Sequence, residues 1–428
     1  MPLTRLGIQA YMLNCSVLLA LVYAPILDYN TLPWLELLFL TAATLMSYWA
    51  GHVLLALTEL SLSEVIGEGR NMRLLPASEE QRSTVLDIPT LIGHNSTGSW
   101  PYALALYFSL LVVVNMTLMC CILLMSYIES LLYRLAVLML ISMLASVVNL
   151  CSVERLEKLE IVLAGVRMVF MLLMVFLVYT NSVELAYFFL SQPLWLLNYH
   201  VCSPLFLPNQ SPNSQKQIHN TTLAISAGFC IVLVFASYNS TDIEIPYDYE
   251  VLLQCLFFVL FLSTVSIYLR TFSHMLCSWR YGCNPKEIET RHSKRMKLIK
   301  IFSPWFVFLI NALVGIVFFG EEFRALTLLE ILSPIINGLI ATVVLYWILA
   351  STYEQQISQL GLQGRAVSKW ATGALKWIPA LITAGGVTEM TFLPGFYMSD
   401  LIQPRLLMPL GVDLVLFGAL VLWKRLGR

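Results

Sequence analysis

Long apolar runs recur along the whole chain and are separated by short polar joints. The run from Leu252 to Leu269 contains no charged residue, and the run from Ile301 to Gly320 contains none either. A helix needs about 20 apolar residues to cross a hydrocarbon core of ~30 Å. Because every backbone polar group must be satisfied inside a membrane, such runs form helices. The pattern therefore predicts an all-α fold, a polytopic bundle of transmembrane helices.

The polar joints divide the chain into about twelve predicted spans. They cover residues 8–27, 34–60, 102–126, 131–151, 160–180, 183–199, 221–237, 251–270, 301–320, 328–350, 373–391 and 406–423. Cytoplasmic joints carry an excess of Lys and Arg, and the joint at 271–300 is the most basic of all. Successive joints lie on opposite sides of the membrane, so counting from this cytoplasmic joint predicts that both termini are cytoplasmic.

Two longer polar segments organise the chain into halves. Residues 1–199 form the first six-span half, with a cytoplasmic loop at 63–101. Residues 200–220 contain Pro204, Pro208 and Pro212, a pattern typical of an irregular linker. Residues 221–428 form the second six-span half, in which 271–300 is a basic cytoplasmic loop.

Composition agrees with a membrane protein and narrows the partners. Hydrophobic residues make up 58% of the 428 residues and charged residues only 12%, whereas soluble domains carry roughly 25% charged residues. The net charge of -1 gives no reason to expect a nucleic-acid partner. We expect membrane lipids and protein subunits as partners. We expect an integral, multi-pass protein of a bacterial inner membrane or of a eukaryotic secretory-pathway membrane.

Ionisable residues within apolar runs are candidate binding residues, because they are costly in lipid. Asp413 lies near the middle of the last span and is a candidate proton, cation or substrate site. The alternative is a structural pair with a basic group on another helix. Arg167 lies about seven residues inside its span, and Glu59 lies near the same membrane face. A pair between Arg167 and Glu59 would act as a gate or as a structural staple.

A polar stripe and two candidate helix breaks complete the predicted site. Tyr48, His52 and Glu59 share one helix face, which fits either a proton relay or a contact with polar neighbours. Glu389 follows the Gly385–Gly386 pair, and Asn337 follows Pro334 in another span. Broken helices at such positions bind ions or substrates in transporters. The alternative is an ordinary kink.

Soft side chains in the basic loop raise the question of a metal site. His274, Cys277, Cys283 and His292 have a Cys–Cys spacing wider than zinc sites usually show, and many cations surround them. We therefore predict contact with anionic lipid headgroups and no metal. The sequence contains no phosphate-binding loop, no zinc-protease motif and no nucleophile elbow. No cofactor is predicted.

The polar groups at membrane depth favour an integral membrane transporter or flippase. It would move a small solute or a lipid-linked substrate through a central cavity by alternating access, with proton or ion coupling through carboxylates. One alternative is a non-catalytic membrane subunit or scaffold of a larger complex. Another is a membrane-embedded enzyme acting on a lipid-linked substrate. We favour a non-enzyme, because no candidate catalytic residue has a partner at diagnostic spacing.

Overall fold

Helices dominate the computed structural model of the chain. It describes residues 4–15, 33–62, 64–66, 73–75, 91, 107–108, 131–151, 153–180, 211–239, 241, 248–281, 294–306, 309, 328–359, 367–390, 411, 414–415, 418–419 and 421–422. The helices are α1 (Arg5–Cys15), α2 (Pro33–Leu62), α3 (Leu131–Leu150), α4 (Val153–Tyr179), α5 (Pro212–Tyr238), α6 (Asp248–Tyr281), α7 (Leu328–Gln359) and α8 (Lys369–Met390). Residues 294–306 are also helical.

Four of the described helices are long and apolar enough to cross a membrane. The qualifying segments are Leu37–Leu60 of α2, Arg155–Tyr179 of α4, Asn213–Tyr238 of α5 and Ile336–Ser358 of α7. The predicted helical membrane fold is confirmed at this level. The count of twelve spans and the side of the termini stay predictions, and the predicted span at 183–199 lies outside the described residues.

One short antiparallel hairpin departs from the all-α prediction. Strand β1 (Glu64–Ile66) pairs with strand β2 (Arg73–Leu75), with Val65 opposite Leu74. The hairpin lies in the predicted cytoplasmic loop at 63–101. Its strands carry Val, Ile and Leu, which pack well on a pleated surface, and the intervening sequence contains two glycines, which favour chain reversal.

Helix α5 begins inside the segment predicted to be a linker over 200–220. Ser211 is its N-cap, and the Ser211 hydroxyl accepts a hydrogen bond from the backbone N–H of Ser214 at 3.3 Å. Pro212 follows at the start of the helix, where a missing N–H costs nothing. The linker prediction is therefore wrong over 212–220, because Pro212 starts a helix and does not interrupt one. Lys216 and His219 consequently lie on α5.

The described helices form two groups. In the first, α1 packs against α4, α5 and α6, α4 also packs against α5 and α6, and α3 packs against α6. In the second, α2, α7 and α8 pack against one another. The main contact between the groups is made by α2 and α5. Within the first group, Phe170 and Met174 of α4 form an apolar core with Leu233 of α5 and Leu260 of α6.

Polar contacts at helix ends establish the relative directions of α1, α4 and α5. The backbone N–H of Thr4 donates to the Glu157 carboxylate at 2.9 Å. The Arg5 guanidinium donates to the Gln217 side-chain oxygen at 2.7 Å. These residues all lie near the N-terminal ends of their helices, so the three helices start on the same side of the bundle.

Candidate functional site

A carboxylate is buried where α1, α4 and α6 meet. Glu160 of α4 is only 3% exposed. Its Oε2 accepts hydrogen bonds from the Asn14 amide at 2.7 Å and from the Ser263 hydroxyl at 3.0 Å. The same Asn14 amide also donates to the Glu160 backbone carbonyl at 3.0 Å. An ionisable group inside a membrane is costly without such partners, and this one joins three helices.

Arg167 lies seven residues after Glu160 on the same face of α4. It is 2% exposed, and its guanidinium donates to the Leu260 carbonyl at 2.9 Å and to the Thr264 hydroxyl at 2.6 Å. Arg167 also acts electrostatically on Glu160. The structure thus brings Arg167 against α6. Its predicted partner, Glu59, lies on α2, which packs against α5, α7 and α8, and a gate or staple between the two stays a prediction.

Hydroxyl groups of α6 bind the carbonyls at the end of α1. The Thr264 hydroxyl donates to the Asn14 carbonyl at 2.8 Å, and the Tyr268 hydroxyl donates to the Cys15 carbonyl at 3.3 Å. Both carbonyls belong to the last two described residues of α1, so side chains of α6 bind α1 where its described part ends. Thr264 also accepts from Arg167, so one chain of bonds links α4, α6 and α1.

A second polar cluster lies at the contact between α2 and α5. The rings of His52 and His219 meet edge to face, with centroids 5.9 Å apart and an interplanar angle of 85°. His52 Nε2 lies 3.2 Å from Asn220 Oδ1, and the Tyr48 ring centroid lies 4.3 Å from that of His52. The His219 ring is buried directly against Gly51. His219 thus lies beside Tyr48 and His52, which are one helical turn apart on α2.

An ion pair connects α7 and α8. Lys376 Nζ lies 2.5 Å from Glu354 Oε2, and the Thr372 hydroxyl donates to Glu354 Oε1 at 2.6 Å. The two charged side chains are 20% and 38% exposed. Such accessible pairs contribute little energy, so this pair is a weaker functional candidate than Glu160.

Three further predicted site residues are Asp413, Glu389 and Asn337. Asp413 lies outside the described residues, and for Glu389 the structure describes only its place on α8. Asn337 is 4% exposed on α7, which packs against α2 and α8. Roles for these three residues stay predictions.

Seven polar residues of the two clusters were missed by sequence reasoning. The spacing of seven between Glu160 and Arg167 was a usable signal, because it places both on one face of a helix. Glu160 was passed over because it lies at the boundary of its predicted span. The other six are polar residues whose significance depends on a neighbouring helix; they are Asn14, His219, Asn220, Ser263, Thr264 and Tyr268.

The Glu160 cluster offers oxygen atoms as ligands and one fixed positive charge, the Arg167 guanidinium. Such groups can bind a proton, a small cation or a polar substrate group. In the described part of the chain, no group of three or more His, Cys, Asp or Glu residues could hold a metal ion. His274 and Cys277 lie on α6, whereas Cys283 and His292 lie outside the described residues.

Comparison with solved structures identifies a shared fold. Two structures of the manganese transporter of Eremococcus coleocola, each of a variant, match this chain with a TM-score of 0.50. Sequence identity is 12%, over 99% of this chain and 93% of theirs. No family model matches the sequence. No curated protein matches it either. The chain is an integral membrane protein with the fold of these structures.

Proposed function

We propose that this chain is a membrane transporter that works by alternating access. The observation that carries the proposal is the buried Glu160 carboxylate, which takes hydrogen bonds from α1 and α6 near one end of the apolar segment of α4. Ionisable groups in such positions mark ion and substrate paths more often than structural sites. The fold supports the same proposal, because a manganese transporter uses it.

Glu160 is the coupling residue in this proposal. Its carboxylate binds a proton or a small cation, and the Asn14 amide and Ser263 hydroxyl orient it. Arg167 supplies a fixed positive charge on the same helix. When the charge on Glu160 is neutralised, the bonds to Asn14 and Ser263 weaken, because a charged acceptor makes stronger hydrogen bonds than a neutral one. The contacts of α1 with α4 and α6 then change with the state of the site.

The proposal does not specify which solute is transported. Manganese is the substrate of the structural neighbours, so Mn²⁺ is the first solute to test. Asp413, Glu389, His52 and Asn337 are further candidates for lining the path, on the sequence arguments alone.

The proposal is tested with the full chain in proteoliposomes that contain a pH-sensitive dye. An inward proton gradient is imposed, and MnCl₂ and then mixed amino acids are added outside. We expect one solute class to drive proton movement, and Glu160→Gln to abolish it while leaving expression and folding intact. The matched control is Glu354→Gln, which removes an accessible carboxylate and retains transport.

Two results would count against the proposal in different ways. Normal coupled transport by Glu160→Gln would remove Glu160 from the mechanism. Failure of every solute, together with a protein partner that co-purifies in stoichiometric amount, would favour a membrane subunit instead.

A further inference from the structure

The two groups of helices meet chiefly along α2 and α5, and two histidines face each other there. The His52 and His219 ring centroids are 5.9 Å apart. His219 is 1% exposed, whereas His52 is partly accessible. The pair therefore combines one partly exposed ring with one that is sealed between the helices.

The surroundings of the two rings differ in what they offer a proton. His52 Nε2 lies 3.2 Å from Asn220 Oδ1, and its ring lies against that of Tyr48. A protonated imidazole keeps the bond to Asn220 and is attracted by the π face of Tyr48. His219 is already hydrogen-bonded to the Tyr48 backbone, and its ring has no free volume toward Gly51.

The charges around the pair oppose a second proton. Lys216 of α5 acts on His52, and His52 acts on His219. Other titratable side chains on the surrounding helices are bonded to other groups: Arg5 to Gln217, Glu157 to Thr4, Tyr346 to Ser47, and Lys376 to Glu354. Glu59 lies seven residues beyond His52 on α2 and also interacts with another group. Two imidazolium ions this close would repel each other.

We propose that His52 and His219 form a binding site for one proton at the contact between α2 and α5, with the proton carried by His52. His219 stays neutral, and its ring meets the charged ring edge to face. Since Lys216 is nearby, the added charge weakens the contact between the two groups of helices. The site is separate from the Glu160 cluster and needs no transported solute to be detected.

The test is ¹⁵N NMR of the full chain, labelled at its six histidines, in phosphatidylcholine nanodiscs. The pH is lowered from about 8 to about 5, the interval in which histidine titrates. We expect one ring of the pair to become doubly protonated. Its titrating signal disappears in His52→Gln and persists in His274→Gln, the control at a histidine on α6.

The variant His219→Gln tests whether the two rings act together. We expect the His52 midpoint to move by about half a pH unit or more, a threefold change in proton affinity. Should this variant fail to fold, His219→Phe keeps a ring over Gly51 and removes both nitrogens, with the same expected shift. The proposal is overturned if both rings take up a proton, if neither does, or if the His52 midpoint is the same without His219.

Discussion

The close approach of α2 to α5 requires glycine at position 51. The variant Gly51→Ala measures how much the stability of the protein depends on this glycine. A Cβ atom at this position would lie 2.0 Å from both Cε1 and Nε2 of the His219 ring. Ordinary contact begins at 3.4 Å, so the ring or the helix must move by roughly 1.4 Å. The matched control is Gly165→Ala on α4, where a Cβ atom meets nothing within 4 Å.

The magnitude follows from two opposing terms. Alanine is a better helix former than glycine by about 1 kcal/mol, and both variants gain this amount. Overpacking a tight site costs about 1–3 kcal/mol. The His219 ring is rigid and buried, so we expect the cost at Gly51 to lie at the upper end. Gly51→Ala should therefore be less stable than Gly165→Ala by about 3 kcal/mol.

Substitutions at two further glycines should lower the stability by smaller amounts. A Cβ atom at Gly7 would lie 2.3 Å from Oε1 of Glu157, but that is the end of a flexible side chain and can turn away. At Gly385 the nearest atoms belong to the Phe39 ring at 3.2 Å, a small overlap. We expect the loss of stability to be largest for Gly51→Ala and intermediate for the Gly7 and Gly385 variants.

The assay is thermal unfolding of each variant in one detergent, followed by tryptophan fluorescence. The expected order has Gly165→Ala at or above the wild type and Gly51→Ala lowest by several degrees. Equal melting temperatures for Gly51→Ala and Gly165→Ala would refute the close approach of His219 to α2, and with it the geometry of the histidine pair.

Three other substitutions address polar contacts between helices. Arg270 donates at 2.6 Å and 3.0 Å to two carbonyls at the end of α3. Arg270→Lys should lower the stability by about 1 kcal/mol, because lysine lacks the forked N–H donors of a guanidinium. Amide hydrogen exchange at the end of α3 should then become faster. Glu354→Gln should cost less than about 1 kcal/mol in thermal unfolding, since its pair with Lys376 is accessible; a larger loss would mean that the pair is buried in the membrane. Asn14→Asp places a second carboxyl group beside Glu160 and should destabilise the protein by about 1–3 kcal/mol, whereas an unchanged melting temperature would contradict the Asn14–Glu160 bond.

The helices could be predicted from the sequence because a span in lipid is a local property of length and apolarity. The start of α5 was also within reach, since Ser211 followed by Pro212 is a typical helix start. The contact of His52 with His219 could not be predicted, because the two residues are far apart in sequence and only the packing of α2 on α5 joins them. Arg167 illustrates the same limit. Its position within its span could be predicted from the sequence, but its contact with α6 could not.

Polar contacts between helices have a special role in this chain because lipid removes the usual hydrophobic drive. Apolar side chains are as well solvated by lipid as by another helix, so helix association depends on packing and interhelical hydrogen bonds. The described polar contacts fall at several interfaces: α1 with α4, α5 and α6, α2 with α5, α3 with α6, and α7 with α8.

Accessibility separates these contacts by what they can do. The side chains of Glu354 and Lys376 are 38% and 20% exposed, so the protein encloses the pair only in part, and we expect a change of charge there to alter little. Glu160 is 3% exposed and its carboxylate takes bonds from two other helices, so loss of its charge changes three helices at once. A transporter needs an element whose contacts depend on occupancy of the site, and among the described interfaces the junction of α1, α4 and α6 meets that requirement best. Substitutions at Glu160 should therefore alter transport, whereas those at Glu354 should alter stability alone.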